Sequence, residues 1–255
     1  GGSEFDYVAL VDFAEVIATA DASAAWTLAN LASHHWMLGM FDSLAQDTVW
    51  GRDADALIAS AFVFAAGRAR KVDGGYRLQG RWPFSSGVDS CAWNMLAGIV
   101  SSDDEVDGVE YRIFLVPCED YKVVDMWNVT GLKGTGSNEV VIDDVFVDDA
   151  MTVTVANIDG GPSPGSAVNP NPLYTLPVFA LFPYVLSGVA LGNAQVCLDD
   201  YIAVARHRVT TYSHAKLGDL QSTQIKIAEA SAKIDAARLV MRAACLEAMA
   251  DARRG

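Results

Sequence analysis

The sequence predicts an α+β chain ordered as helices, then a β-domain, then long helices. Three observations carry that prediction. Apolar residues recur at helical spacing over the first fifty residues and again from about residue 178 onward. Between these parts run short segments rich in β-branched and aromatic side chains, separated by Gly, Asn, Asp and Ser clusters. This order fits neither an alternating βαβ sheet nor an all-β sandwich. The divisions fall at 1–51, the end of an N-terminal helical domain; 52–155, a central β-domain built as a small barrel or sandwich; 156–177, a loop; and 178–255, the first part of a C-terminal helical bundle.

Each element has its own signal. "DYVALVDFAEVIATA" puts Val8, Leu10, Val11, Phe13, Val16 and Ile17 on one broad helical face. "DASAAWTLANLASHHWMLGMF" follows, with Asp21 or Ser23 as its cap, and "DSLAQDTVWG" is a short helix stopped at Gly51. The strands are read in "IASAFVFAAG", "RARKVDGGYRLQGRWPFSSG", "SCAWNMLAGIV", "EYRIFLVP", "YKVVDMWNV" and "EVVIDDVFV". Turns are read at Asp73-Gly74-Gly75, at Ser101-Ser102-Asp103-Asp104 and from Gly131 to Gly136. "NIDGGPSPGSAVNPNP" is long for an internal connection and reads as a lid or a subunit contact. A helix from about Pro177 to His207 comes next, then a second one with Asp219 as its N-cap. The stretch Leu176 to Leu198 imitates a membrane span. Pro183, Gly188, Gly192, Asn193 and Gln195 interrupt it, and it reads as a core helix, hydrophobic all round. The chain starts inside one helix and stops inside another, at "EAMADARRG", and so reads as truncated at both ends.

Composition narrows the function. A net charge of -14 over 255 residues argues against nucleic-acid binding, which rests on Lys and Arg contacts to phosphates. No basic leader precedes the first helix, and the expectation is a cytoplasmic protein that neither spans nor anchors to a membrane. Cys91, Cys118, Cys197 and Cys245 form no CxxC pair and read as four buried thiols in a reducing compartment.

Several residues stand out as candidates for chemistry. "GLKGTGSN" superficially looks like a phosphate loop, but a strand follows it instead of a helix, which excludes a Rossmann or P-loop reading. It is either a plain glycine-rich loop or one whose backbone approaches a ligand. His34 and His35 project about 100° apart on a helix and cannot share a metal as an i,i+4 pair does; no metal site is expected. Either histidine can point into a pocket or sit in the core or on the surface. Trp26, eight residues before His34, falls near the same face. Ser60 lies in "IASAFVF". In "RWPFSSGVDSCAWN", Trp82 and Phe84 are read as anchors. Alternation points Ser85 and Ser86 opposite ways, so that one turns inward, although turn chemistry alone accounts equally well for Ser-Ser-Gly.

Together the stretches "SAAWTLANLASHHWMLGMF", "GGYRLQGRWPFSSGVDSCAW", "VTGLKGTGSNEVVIDDVFV" and "RHRVTTYSHAKLGDLQSTQIKIAEASAKIDAAR" resemble the acyl-CoA dehydrogenase-like superfamily. Within it they resemble the flavin-dependent aromatic monooxygenases that are oxygenase components of two-component systems. The resemblance implies N-terminal helices, a central β-barrel or sandwich domain and a C-terminal bundle, in a homotetramer, with flavin between β-domain and bundle. It implies that the first quarter and the last bundle helices lie outside this sequence, together with a C-terminal histidine that often joins the site. It implies reduced FMN or FAD delivered by a separate flavin reductase, reaction with O2 to a C4a-hydroperoxyflavin, and hydroxylation of a phenolic or indolic ring. By position, Ser85 corresponds to the hydroxyl beside flavin N5, with Phe84 next to it at the cofactor. His34 corresponds to the substrate-side histidine that orients a phenol and favours phenolate. Ser60 is a second polar contact, Trp26 a pocket wall and Arg206 the partner of the flavin phosphate. The Thr-Glu-Pro, Gly-Ser-Asp and Arg-x-x-Phe-Gly motifs of true acyl-CoA dehydrogenases are absent from "ASAFVFAAGRA" and "RHRVTTYSHAKLGDLQ". That favours the monooxygenase branch over the alternatives, an acyl-CoA dehydrogenase or oxidase-type flavoenzyme, or a non-catalytic assembly domain.

Overall fold

The computed structural model describes residues 3–101 and 109–255. The turn expected at Ser101–Asp104 falls, from Ser102 on, outside the described residues.

Helices α1 (Val8–Ala18), α2 (Ala22–Leu38) and α3 (Ser43–Trp50) open the chain. The Asp21 carboxylate caps α2 by accepting from the Ala24 N–H at 2.8 Å, and Asp42 caps α3 through the Leu44 N–H at 2.8 Å. The buried stripe of α1 is narrower than the sequence suggests. Val11, Ala14 and Ala18 pack inward, while Phe13 is 42% and Val16 68% exposed. The reason lies in α4 (Val178–His207), which crosses α1 at close range. A Cβ on Gly192 would sit 2.1 Å from the Glu15 carbonyl oxygen, and one on Gly188 2.8 Å from that of Val11. With small residues meeting at the crossing, the larger side chains of α1 are left at its rim.

Helix α4 is long and apolar enough to cross a membrane, yet only 33% of its most apolar window is buried. The expected all-round burial is therefore wrong. Helices α1, α2 and α5 (Gln221–Ala252) cover one side, and Tyr201 and Val204 stay in solvent. Asp219 does not cap α5: it ends a 3₁₀ turn at Leu217–Asp219, and the helix starts after Leu220 with no side-chain cap. Arginines on α5 tie it back to the N-terminal helices, through Arg238–Glu15 at 2.7 Å and through Arg242–Asp12.

Strands β1 (Ile58–Ala61), β2 (Gly67–Val72), β3 (Gly75–Ser85), β4 (Trp93–Ser101), β5 (Glu110–Pro117), β6 (Lys122–Val124), β7 (Asn138–Asp148) and β8 (Thr152–Thr154) form one mixed sheet. Its order is β6-β7-β3-β2-β4-β5-β8, with β1 parallel to β4. The hydrogen-bonded path stays open at β6 and β8, so the sheet is not a closed barrel. Instead it doubles over, and β3 meets β4 and β5 across an interior. The Trp82 indole donates to the Ala97 carbonyl at 2.6 Å, and Tyr76 meets Phe114 edge-on. Alternation sorts the strands cleanly. Trp93, Met95, Ile113 and Leu115 face the helices, whereas Leu96, Phe114 and Val116 join Leu78, Trp82 and Val140 in the interior.

The 156–177 connection is pinned to its own chain and does not hang as a lid. The Gly165 N–H donates to the Met40 carbonyl, Asn169 Nδ2 donates to the Gly39 carbonyl and to Gln46 Oε1, and the Trp36 indole donates to the Leu173 carbonyl. The thiols split as well. Cys91 and Cys245 are buried, and burial pushes Cys91 up to about 12, but Cys118 and Cys197 are exposed.

Candidate active site between the second helix and the sheet

Helix α2 lies on β1 and on the 3₁₀ turn Lys133–Thr135, and it brings two polar side chains to that seam, a little over two turns apart. Trp26 sits near its start and His34 near its end.

His34 is fully buried. Its Nδ1 lies 2.5 Å from the Ile58 carbonyl oxygen, an acceptor only, so the ring proton is on Nδ1. Burial lowers its pKa to about 4, against the opposing pull of that bond, so the ring is neutral at pH 7. Nε2 then carries a lone pair, and no partner meets it among the described residues. Phe62 and Phe182 lie 6.0 and 6.1 Å from the ring and 5.7 Å from each other, so the three rings form one cluster. Such a nitrogen accepts a hydrogen bond from a hydroxyl or an N–H in an apolar setting. With a pKa this low it is a weak base, so it orients a phenol more readily than it takes the proton. Ser60, on β1 two residues after Ile58, shares the helix-facing side and is 8% exposed. His35 turns away, accepting from the Trp50 indole at 3.0 Å, and borders a separate cavity of about 780 Å3 beneath residues 3–7. Among the described residues, no three His, Cys, Asp or Glu side chains group to hold a metal.

At the other end of α2, the Trp26 indole donates to Ser86 Oγ at 3.0 Å. Ser86 Oγ lies 2.9 Å from Ser137 Oγ, which lies 2.7 Å from Thr135 Oγ1, which donates to the Leu132 carbonyl at 3.0 Å. An indole N–H only donates and a carbonyl only accepts. Each hydroxyl has one proton, so the direction is fixed throughout: Trp26 to Ser86 to Ser137 to Thr135 to Leu132.

Ser85 faces the other way, into the β-domain interior, fully buried, and accepts from Asn94 Nδ2 at 3.0 Å. The two hydroxyls thus point opposite ways, as expected, and both are buried, each against its own partner, although the strand leading to them is not regular. The cause is local. Trp82 pairs with Val140 and Ser85 with Asn138, so an extra residue is inserted between them. The residue involved is Phe84, at φ +68° and 64% exposed. Phe84 therefore anchors nothing in the core; it meets only Trp127 edge-on, at 6.2 Å. A bulky residue in left-handed backbone is strained, and such strain gathers at functional segments. Arg206 stands apart, exposed in the last turn of α4.

Sequence reasoning missed Asn94, Ser137, Thr135, Phe62 and Phe182. Asn94 was detectable as the one amide inside the apolar run "CAWNMLAGIV".

Helices flanking a doubled mixed sheet, with a buried neutral histidine at their seam, define an acyl-CoA dehydrogenase-like fold. The family model for the acyl-CoA dehydrogenase C-terminal domain matches residues 184–255. The HsaA oxygenase subunit of a flavin-dependent monooxygenase from Rhodococcus jostii is 37% identical over 93% of this chain and 62% of its own length. The oxygenase component of the FADH2-dependent resorcinol hydroxylase of a Rhizobium species is 33% identical over 93% of this chain and 59% of its length. The crystal structure of the HsaA monooxygenase from M. tuberculosis superposes with a TM-score of 0.91 at 30% identity, covering 100% of this chain and 65% of that one. The chain's homologues are therefore the oxygenase subunits of flavin-dependent monooxygenases, of which it spans about three-fifths of the length.

Proposed function

We propose that the chain belongs to an oxygenase component that hydroxylates an aromatic ring, phenolic or indolic, using O2 and reduced FMN or FAD from a separate flavin reductase. The observation that carries this reading is His34, a neutral imidazole whose Nε2 has no partner among the described residues and which clusters with Phe62 and Phe182. An apolar, aromatic surround with one acceptor suits a flat ring bearing one O–H or N–H.

The residues fit a flavin. Ser85 has a proton with no acceptor among the described residues, and Phe84 and Trp127 offer aromatic surface beside it. Reduced flavin supplies, with O2, the electrophilic oxygen. Ser85 would donate to flavin N5, with Phe84 beside it, and Arg206 would pair with its phosphate. His34 would accept the substrate hydrogen and fix the ring's orientation, Ser60 would add a second polar contact, and Trp26 would wall the pocket.

The apolar side chains left in solvent on α4 and α5, among them Tyr201, Val204, Leu239 and Val240, support assembly with further copies, as a homotetramer. We place the protein in the cytoplasm.

The test is to give the full-length protein chemically reduced flavin, oxygen and a panel of phenols and indoles. Hydroxylated product by mass spectrometry is expected. Oxygen consumed only to hydrogen peroxide with every ring compound would overturn the reading, and bound flavin reduced by an acyl-CoA would replace it with a dehydrogenase.

A further inference from the structure

The two adjacent serines differ in what their protons are doing. The Ser86 proton is committed to Ser137, because the chain from Trp26 to Leu132 runs one way only. The Ser85 oxygen is occupied by a donor, Asn94 Nδ2 at 3.0 Å, so its proton cannot point at that amide.

Asn94 is out of place for its surroundings. It lies mid-strand on β4, fully buried, paired with Ala59 on one side and Val116 on the other. Asparagine is depleted in strands, and a buried amide is costly where its hydrogen bonds are incomplete. Here Oδ1 has no partner among the described residues, and the buried hydroxyl of Tyr121 lies close by, where the Asn94 amide favours its ionised form against the burial that raises its pKa. Among the described residues, the side-chain hydrogen bond of good geometry that Asn94 makes is the one to Ser85, and its amide also lies beside the Tyr121 hydroxyl.

We propose that Asn94 is a positioning residue that makes Ser85 a hydrogen-bond donor: by filling the hydroxyl's acceptor side, it turns the proton toward the ligand seated on the Phe84–Gly87 segment. The inference rests on the reading of that ligand as flavin, with Ser85 at N5. Ser85 is fully buried, so the incoming acceptor has to open the segment. Phe84, held at φ +68° and mostly in solvent, is the strained residue whose movement would admit it. A hydroxyl already polarised by one donor is the stronger donor to the next group, and its direction is set before the ligand arrives.

The experiment uses full-length protein loaded with flavin labelled with 15N at N5. That resonance reports hydrogen bonding at the atom, whether or not the enzyme turns over. Ser85→Ala is expected to shift it away from the hydrogen-bonded position. Asn94→Leu, near in shape but without the donor, is expected to shift it in the same direction by at least half as much, and to weaken flavin binding by about threefold to tenfold. Asn94→Val, a better strand former, repeats the test should the leucine variant fold poorly. The proposal is overturned if both Asn94 variants keep the wild-type resonance and affinity while Ser85→Ala moves them. It is equally overturned if Ser85→Ala moves nothing, although hydroxylated product from the wild-type protein would still sustain the oxygenase reading. Absence of flavin binding in the wild-type protein would instead remove that reading itself.

Discussion

The two ends of α2 treat polar atoms in opposite ways. At its start every proton of the Trp26–Ser86–Ser137–Thr135 chain has an acceptor and the chain closes on a carbonyl. Near its end, His34 uses one ring nitrogen and leaves the other buried without a partner among the described residues. A buried acceptor left unmet costs about 1–3 kcal/mol. Folding alone gives no reason to keep such an atom, whereas it does give one to close the hydroxyl chain. The closed end holds α2 on the sheet, and the open end is where the proposed substrate would bind.

Substitution at the open end should separate function from stability most sharply. His34→Phe is expected to lower hydroxylation by about a hundredfold or more while leaving the melting temperature close to wild type, since removing the unmet Nε2 offsets losing the bond to the Ile58 carbonyl. Steady-state product formation and a thermal melt check both halves. If the variant melts well below wild type, the open end is structural and the contrast fails.

The pH dependence comes next in size. Folded His34 titrates near 4 instead of 6.5, because burial disfavours its charged form. Between those values the unfolded chain binds the extra proton and the folded chain does not. The contribution is therefore complete above pH 6.5, is lost as pH falls, and levels off below about 4. It amounts to on the order of 3 kcal/mol across that window. Denaturant titrations at a series of pH values should show this slope in wild type and its loss in His34→Phe.

At the closed end, Ser86→Ala strands the Trp26 indole N–H, and about 1–3 kcal/mol of stability should go with it. Urea unfolding measures the loss. A negligible effect would mean that the chain does not hold α2. The smallest effect is expected from Arg242→Ala, which removes the half-exposed pair with Asp12: less than about 1 kcal/mol, fading further in salt.

Much of the architecture was legible because period and punctuation agree. Helical spacing located α2, Asp21, one of two candidate caps, does mark its start, and the apolar runs "SCAWNMLAGIV" and "EYRIFLVP" located β4 and β5. The reading failed where tertiary partners decide. Phe13 and Val16 look like core residues until Gly188 and Gly192 bring α4 onto the smaller face of α1. Phe84 was misread as an anchor because alternation assumes an unbroken strand, and one inserted residue with positive φ moves the phase. In the site, single residues such as His34 could be singled out, but not their state. That His34 is neutral, and which of its nitrogens is open, depends on Ile58, twenty-four residues away.

The fixed direction of the hydroxyl chain also bears on proton traffic. A row of hydroxyls conducts protons only if one end can deliver and the other can take away. An indole N–H and a peptide carbonyl can do neither near neutral pH. The seam between Trp26 and Leu132 is thus wired in one orientation and closed at both terminals, an insulator laid between α2 and the sheet. Protons exchanged during catalysis would have to travel by another route.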